Sequence, residues 1–280
     1  MIDTHVHIWD TGRARYTWLD NEGPLLKRTY TIGGWEDAAM GTPVTGAVLV
    51  QAANNLEDTQ LMLEASSLSA LVKGVVGWAP LQQPDAVARL LDEGFFQNRF
   101  IKGFRHLIHN EADPCWLLQP PVLESLSLLA QKGLTYDVVG INSHHLRTAL
   151  KVAEKVPGLF MVLDHLNQPP IAAGERFGEW GSLMLEASRH KMFYAKISGL
   201  GSPSGKPFKW TSDDIAPYLE FVLGSFGVDR CFCGGDWPVC LVNGQYAQAL
   251  NNYITALGGL LDGEALQKVL TGNAEAFYKL

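Results

Sequence analysis

Apolar positions fall along the chain in two alternating patterns. Short, nearly continuous apolar runs, each closed by glycine or polar residues, recur eight times: "IDTHVH" from Ile2, "VTGAVLV" from Val44, "KGVVGWA" from Lys73, "IKGFRH" from Ile101, "LTYDVV" from Leu134, "LFMVLDH" from Leu159, "FYAKISG" from Phe193 and "CFCGGDW" from Cys231. Strands buried on both faces carry this kind of run.

Longer segments with a helical period separate them. "NNLEDTQLMLEASSLSALV" opens on an Asn cap with acids in its first turn and places Leu61, Ala65, Leu68 and Val72 on one face. "PPVLESLSLLAQKG" starts on proline and stops at Gly133. "SHHLRTALKVAEKVPG" takes Ser143 as N-cap and Leu146, Leu150 and Ala153 as its stripe, with His144 and His145 facing solvent. "SDDIAPYLEFVLGSFG" repeats the cap-and-acid opening and ends at Gly227, and "GQYAQALNNYITALG" aligns Tyr246, Leu250, Tyr253 and Leu257.

Eight strands, each followed by a crossover, over a length close to the roughly 250 residues typical of the architecture, predict an α/β fold. The expected form is a single TIM-type (β/α)8 barrel spanning residues 1–280 with a C-terminal helix. A doubly wound open sheet fits less well, because "HIWDTGRARY" after the first strand holds no glycine fingerprint to cradle a phosphate. From Trp9 to Thr42 no clear period is visible, and the stretch is long for a loop. It predicts an excursion over the barrel mouth.

Composition narrows the function classes. Hydrophobic residues at 47% against 18% charged describe a globular chain able to bury a sizeable core. A net charge of -7 without any Lys/Arg cluster argues against nucleic acid or an anionic membrane as partner, since both need a basic face. A small anionic ligand needs only one local arginine. No basic segment leads into an apolar stretch at the start, and no run approaches the roughly 18 apolar residues of a membrane span. Cytoplasm is the expected compartment. The four cysteines, Cys115, Cys231, Cys233 and Cys240, are too few for a disulfide scaffold in a chain this long. Cys231 and Cys233 share a strand face, but a structural zinc site wants four ligands at characteristic spacing, so they read as small buried apolar residues.

Candidate chemistry begins with "IDTHVHIWD". Residues two apart on a strand face the same side. In a barrel, His5 and His7 therefore point inward near the carboxyl end of the first strand, where barrel enzymes carry out their chemistry. Two imidazoles there can hold a divalent metal or, if one is protonated, a substrate oxyanion. Arg105 with His106, His165, and Asp236 end three other predicted strands, as a site assembled from distant sequence requires. Trp9, Trp78 and Trp237 follow strand ends and are candidates to wall a pocket.

The ordered motifs "DTHVHIWD", "KGFRHLIHNEADPCWLL", "GLTYDVV", "FMVLDHLNQPPI", "AKISGL", "GGDWPVC" and "TGNAEAFYKL" together resemble the amidohydrolase superfamily nearly end to end. The resemblance is to its metal-dependent-hydrolase-like lactonase branch, which includes L-fuconolactone, sulfomuconolactone and 2-pyrone-4,6-dicarboxylate lactonases. It implies His5, His7 and Asp236 as ligands of one divalent metal, zinc before others, with His165 as the sixth-strand histidine and Asp236 as general base for water. Many relatives add a histidine or a modified lysine from the fourth or fifth strand, whereas here the fifth carries Tyr136 and Asp137. Catalysis without a metal, known in the lactonase branch, is the other implied version.

The implied activity is hydrolysis of the carboxylic ester of a small lactone, either a sugar-acid lactone or a carboxylated ring. In that scheme Asp236 takes the proton of water, Arg105 helps to hold the oxyanion, and His165 orients water or donates to the leaving alkoxide. Arg105, His106, His109 and Tyr136 are candidates to bind substrate oxygens. Two alternatives stand beside it: a metal-dependent decarboxylase, which usually keeps the missing fifth-strand histidine, and a non-catalytic sugar-acid binding barrel.

Overall fold

Every one of the eight apolar runs forms a strand in the computed structural model, which describes residues 1–92 and 94–280. The strands are β1 (Ile2–Val6), β2 (Gly46–Val50), β3 (Val72–Gly77), β4 (Ile101–His106), β5 (Thr135–Val138), β6 (Met161–Leu163), β7 (Phe193–Ile197) and β8 (Cys231–Cys233). They pair in parallel and in chain order. The barrel is nearly closed where β8 returns to β1. There Thr4 Oγ1 donates to the Cys233 carbonyl at 2.6 Å, the Asp236 N–H to the His5 carbonyl at 2.8 Å, and the His7 N–H to the Trp237 carbonyl at 2.7 Å. Gly234 permits this seam, because a Cβ at that position would stand 2.6 Å from the His5 Cβ.

One helix follows each strand. In order these are α1 (Ile32–Ala39), α2 (Leu56–Leu68), α3 (Pro84–Asp92), α4 (Pro120–Gln131), α5 (Ser143–Lys155), α6 (Gly178–Arg189), α7 (Ser212–Phe226) and α8 (Tyr246–Gly258); α9 (Gly263–Gln267) and α10 (Asn273–Tyr278) end the described chain. The (β/α)8 architecture is therefore as expected. Among the described residues, no helix is long and apolar enough to cross a membrane.

The helices differ from expectation in instructive places. Leu68 of α2 is 82% exposed, and Val72 belongs to β3. The buried face of α2 includes Asp58, Thr59 and Ser66, because polar groups there hold the strand-end loops: Asp58 accepts the Ala52 N–H at 2.9 Å and Thr59 accepts the Trp78 N–H at 2.8 Å. The N-cap of α5 is Asn142, not Ser143. His145 is buried, its Nδ1 accepting the Ile141 N–H at 3.2 Å, while His144 is exposed as expected. Helices α3 and α6 join those expected from the apolar period; α3 buries Val87 and Leu91, and α6 buries Trp180, Leu183, Met184 and Ala187 on one face.

The two ends of the barrel are covered differently. At the amino end, Phe277 and Tyr278 of α10 pack onto Ile2, Val48, Val76, Val162 and Phe232 and stopper the interior. At the carboxyl end lies the excursion after β1. It is more ordered than its sequence suggests: Trp9 pairs with Tyr30 in an antiparallel bridge, residues 17–21 form a 3-10 turn, and α1 follows. Trp9 is its packing centre, with ring centroids 5.4 Å from Trp18 and 5.1 Å from Tyr30 and its Nε1 donating to the Arg28 carbonyl at 2.7 Å.

Candidate active site

The carboxyl end of β1 carries His5 and His7 on one side, as the two-residue alternation requires, with ring centroids 4.8 Å apart. The His165 ring lies 4.5 Å from His5. Asp236, at the far end of the chain, places Oδ1 3.5 Å from His7 Nε2 and 3.8 Å from His5 Nε2. Groups separated by most of the sequence thus meet at the seam between β8 and β1.

Burial sets the charge state of the β1 imidazoles. Desolvation pushes His5 well below its ordinary value against the attraction of Asp164, and pushes His7 down against Asp236. Both are therefore neutral at pH 7, the form that ligates a cation. His7 Nδ1 sits 2.7 Å from the Val50 carbonyl and must donate to it, so its Nε2 lone pair faces the Asp236 carboxylate. Two acceptors aimed at each other call for a shared proton or cation between them.

His165 reaches the site from a left-handed turn: residues 165–168 have φ of 54°, 51°, 53° and 57°. Non-glycine residues adopt this conformation at a cost of roughly 1–2 kcal/mol each. Ser198 Oγ, 2.9 Å from His165 Nδ1, fixes the ring. Gly199, itself at φ +61°, makes room, since a Cβ there would collide with His165 Nδ1 and stand 3.0 Å from Asp236 Oδ2.

Arg105 belongs to the floor, not the rim. It is 3% exposed; Nη1 donates to Asp164 Oδ2 at 3.0 Å and lies 3.1 Å from His5 Nε2, and Nη2 donates to the Gln51 carbonyl. Burial opposes ionisation of Asp164, but Lys196, His5 and Arg105 together outweigh it and hold the carboxyl well below the carboxylate range.

Over these groups opens a cavity of about 440 Å³. Its walls include His7, Arg105, His109, His165 and Asp236 from the expected set. Burial pushes His109 down to about 4, so it too is neutral. The outer wall comes from Trp18, Asn21 and Glu22 of the excursion and from Ile141, Gln168 and Ser202 of later loops.

Five of the expected residues stand elsewhere. Tyr136 alternates with Asp137, whose side chain points into the barrel, so Tyr136 faces the helices and is fully buried. His106 alternates with Arg105 in the same way. Trp78 Nε1 donates to its Nδ1 at 3.0 Å, Glu111 lies 2.7 Å from its Nε2, and its ring stacks on Trp116 with centroids 3.9 Å apart. These contacts occupy both His106 and Trp78. Trp9 and Trp237 pack beneath the excursion, Trp237 edge-on to Tyr30. Trp18 takes the place expected of them at the mouth, held by Nε1 donating to the Ala52 carbonyl at 2.8 Å. Lys196 and Asp164 were also missed, although a lysine inside an apolar strand run is a signal in itself.

The sequence model of the amidohydrolase family matches residues 2–280. The chain belongs to that family. This amidohydrolase is 28% identical over 282 residues to an L-fucono-1,5-lactonase of Burkholderia ambifaria, covering 100% of this chain and 95% of that protein. It is 24% identical over 238 residues to an L-rhamnono-gamma-lactonase of Scheffersomyces stipitis, covering 75% and 70% respectively. It superposes with a TM-score of 0.88 on an amidohydrolase from Burkholderia multivorans solved with bound zinc, at 25% identity and with 100% and 99% of the two chains covered.

Members of the amidohydrolase superfamily generally use divalent metals, and the residues here fit one. Donor atoms of His5, His165 and Asp236 all lie within 4.8 Å of one another, two imidazole nitrogens and a carboxylate oxygen. The mutually close set thus includes His165, whereas the expected set was His5, His7 and Asp236. His7 stands beside it with its outer nitrogen anchored on a backbone carbonyl, the usual support of a ligating imidazole.

Proposed function

We propose that this amidohydrolase is a hydrolase of carboxylic ester bonds that opens a small lactone, with Asp236 as general base. One observation carries the reading: the Asp236 carboxylate, 5% exposed, borders a cavity of about 440 Å³, with room for a small ring, and faces two neutral imidazoles within 4 Å. A water between Asp236 and His165 gives its proton to the carboxylate and its oxygen to the ester carbonyl. The ring C–O bond then breaks, the proton passes to the departing ring oxygen, and a hydroxy acid leaves. Zinc or another divalent cation held by His5, His165 and Asp236, with His7 alongside, supplies polarisation of the carbonyl when bound. Arg105, its terminal nitrogens already engaged with Asp164 and Gln51, forms a fixed part of the floor beneath the reacting carbonyl.

The cavity favours a sugar-acid lactone over a carboxylated one. Its polar wall consists of Asn21, Glu22, Asn110, Gln168 and Ser202, groups that hydrogen-bond hydroxyls. Arg105 is the one Lys or Arg among the described lining residues, and Asp164 already neutralises it. Sugar-lactone names among the relatives point the same way. Decarboxylation finds less support, because Asp137 of β5 is tied to Lys196 and that strand offers no histidine.

Asp236→Asn tests the reading. Its kcat on an aldonolactone is expected to fall by about 10²–10⁴-fold, the usual worth of a positioned base, with KM nearly unchanged. Hydrolysis at the wild-type rate removes Asp236 from the mechanism.

A further inference from the structure

Below the cavity floor the barrel encloses a column of charges that substrate cannot reach. Lys196 of β7 is fully buried, at a level where barrel interiors are ordinarily filled by branched apolar residues. Its Nζ lies 2.6 Å from Asp137 Oδ2, 2.8 Å from Asp164 Oδ1 and 3.3 Å from His5 Nδ1. The ammonium donates to Asp137 Oδ2 and pairs by charge with Asp164, while the His5 ring stands beside it. Underneath, Tyr278 of α10 donates its hydroxyl to Asp137 Oδ2 at 2.7 Å, and its ring lies 5.6 Å from Nζ. Above, the second oxygen of Asp164 accepts from Arg105 at 3.0 Å.

We propose that Lys196 is a positioning residue for the reaction: held from beneath by Asp137 and Tyr278, its ammonium fixes Asp164 against Arg105 and stands against His5. A lysine is almost never fully buried without a paired charge, and the column provides two carboxylates for its two cations. Apart from Lys196, the side chains Asp164 faces are Arg105, which lines the cavity, and the neutral imidazole of His5, which stands against Asp236. Any shift of Lys196 is thereby passed to the groups that meet the substrate. An ion pair serving stability alone would have no such outlet.

The kinetic part of this proposal rests on the lactonase reading; its spectroscopic part does not. The double variant Asp137→Asn with Lys196→Met removes one carboxylate and one cation together and leaves Asp164 paired with Arg105. We expect it to fold, with kcat on an aldonolactone lower by about 10–100-fold, the usual loss when a supporting partner of a site residue is removed, and KM little changed. The His5 imidazole 15N resonance, assigned by its absence in His5→Asn, is expected to move. Asp137→Asn alone retains the contact between Lys196 and Asp164 and is expected to keep most of the rate. If the double variant does not fold, Lys196→Gln, which still donates to one carboxylate, is read by the same two measurements. A folded variant with wild-type kcat and an unmoved His5 resonance overturns the proposal. A moved resonance in a protein that opens no lactone sinks the lactonase reading and leaves the positioning role standing.

Discussion

His109 shows how the charge state of one side chain follows from its surroundings. Burial, with Arg105 nearby, lowers it to about 4 from an ordinary value near 6.5. Between those two values the unfolded chain binds a proton at this position and the folded chain does not. The stability contributed by neutral His109 is thus complete above about pH 6.5 and is lost as pH falls toward 4. His109→Asn lacks this loss. Relative to wild type, its unfolding free energy is expected to improve by ~3 kcal/mol between pH 7 and pH 4, at about 1.4 kcal/mol per unit of displacement, as read by denaturant titration at each pH. Parallel curves would show that His109 titrates normally. Which residues reach the cavity was only half legible at this level. The strand runs are apolar on both faces, so they do not reveal which alternate set points inward. For β1 the paired histidines settle it, whereas for β4 and β5 the parity decides between Arg105 and His106 and between Asp137 and Tyr136.

The turn after β6 and the glycine after β7 form one device. Residues 165–168 run left-handed and carry His165 toward Asp236, and Gly199 offers the bare backbone against which both side chains rest. Gly199→Ala would add a methyl group into His165 and a strained backbone at φ +61°. It is expected to lower kcat by at least about tenfold, in line with the loss of a contact that holds a site imidazole in place, while its far-UV circular dichroism stays that of wild type. Unchanged turnover would mean that His165 is free to move without consequence. "DHLNQPP" announces the left-handed turn only weakly, since of residues 165–168 His165 and Asn167 are types enriched there but Leu166 and Gln168 are not. Caps and breakers served better: proline opens α4 and Gly227 ends α7 as read. The stripe of α2 was misplaced because its inward face is partly polar and bonded to loop backbone.

Taken together, the barrel is sealed at its amino end by α10 and roofed at its carboxyl end by the excursion, with chemistry confined to the layer between. Removing residues 273–280 would uncover Val48, Val76, Val162 and Phe232 and deprive Asp137 of the Tyr278 hydroxyl. The shortened protein is expected to lose cooperative thermal unfolding and to bind a hydrophobic dye, as apolar interiors opened to water do. A sharp melting transition near that of the full chain would show the stopper to be dispensable. The architecture itself was legible because strand number, order and spacing are local signals, whereas the roof was not, because its order comes from aromatic contacts across distant residues such as Trp9 with Tyr30 and Trp35 with Tyr246.

The seam between the first and last strands also fixes when this protein becomes competent during its synthesis. Strand order equals chain order, so a growing polypeptide on the ribosome can add each strand to its predecessor, yet the outer edge of β1 waits until β8 has emerged. His5 and Asp236 stay apart throughout translation of the intervening residues, and no nascent fragment that ends before Asp236 possesses the site.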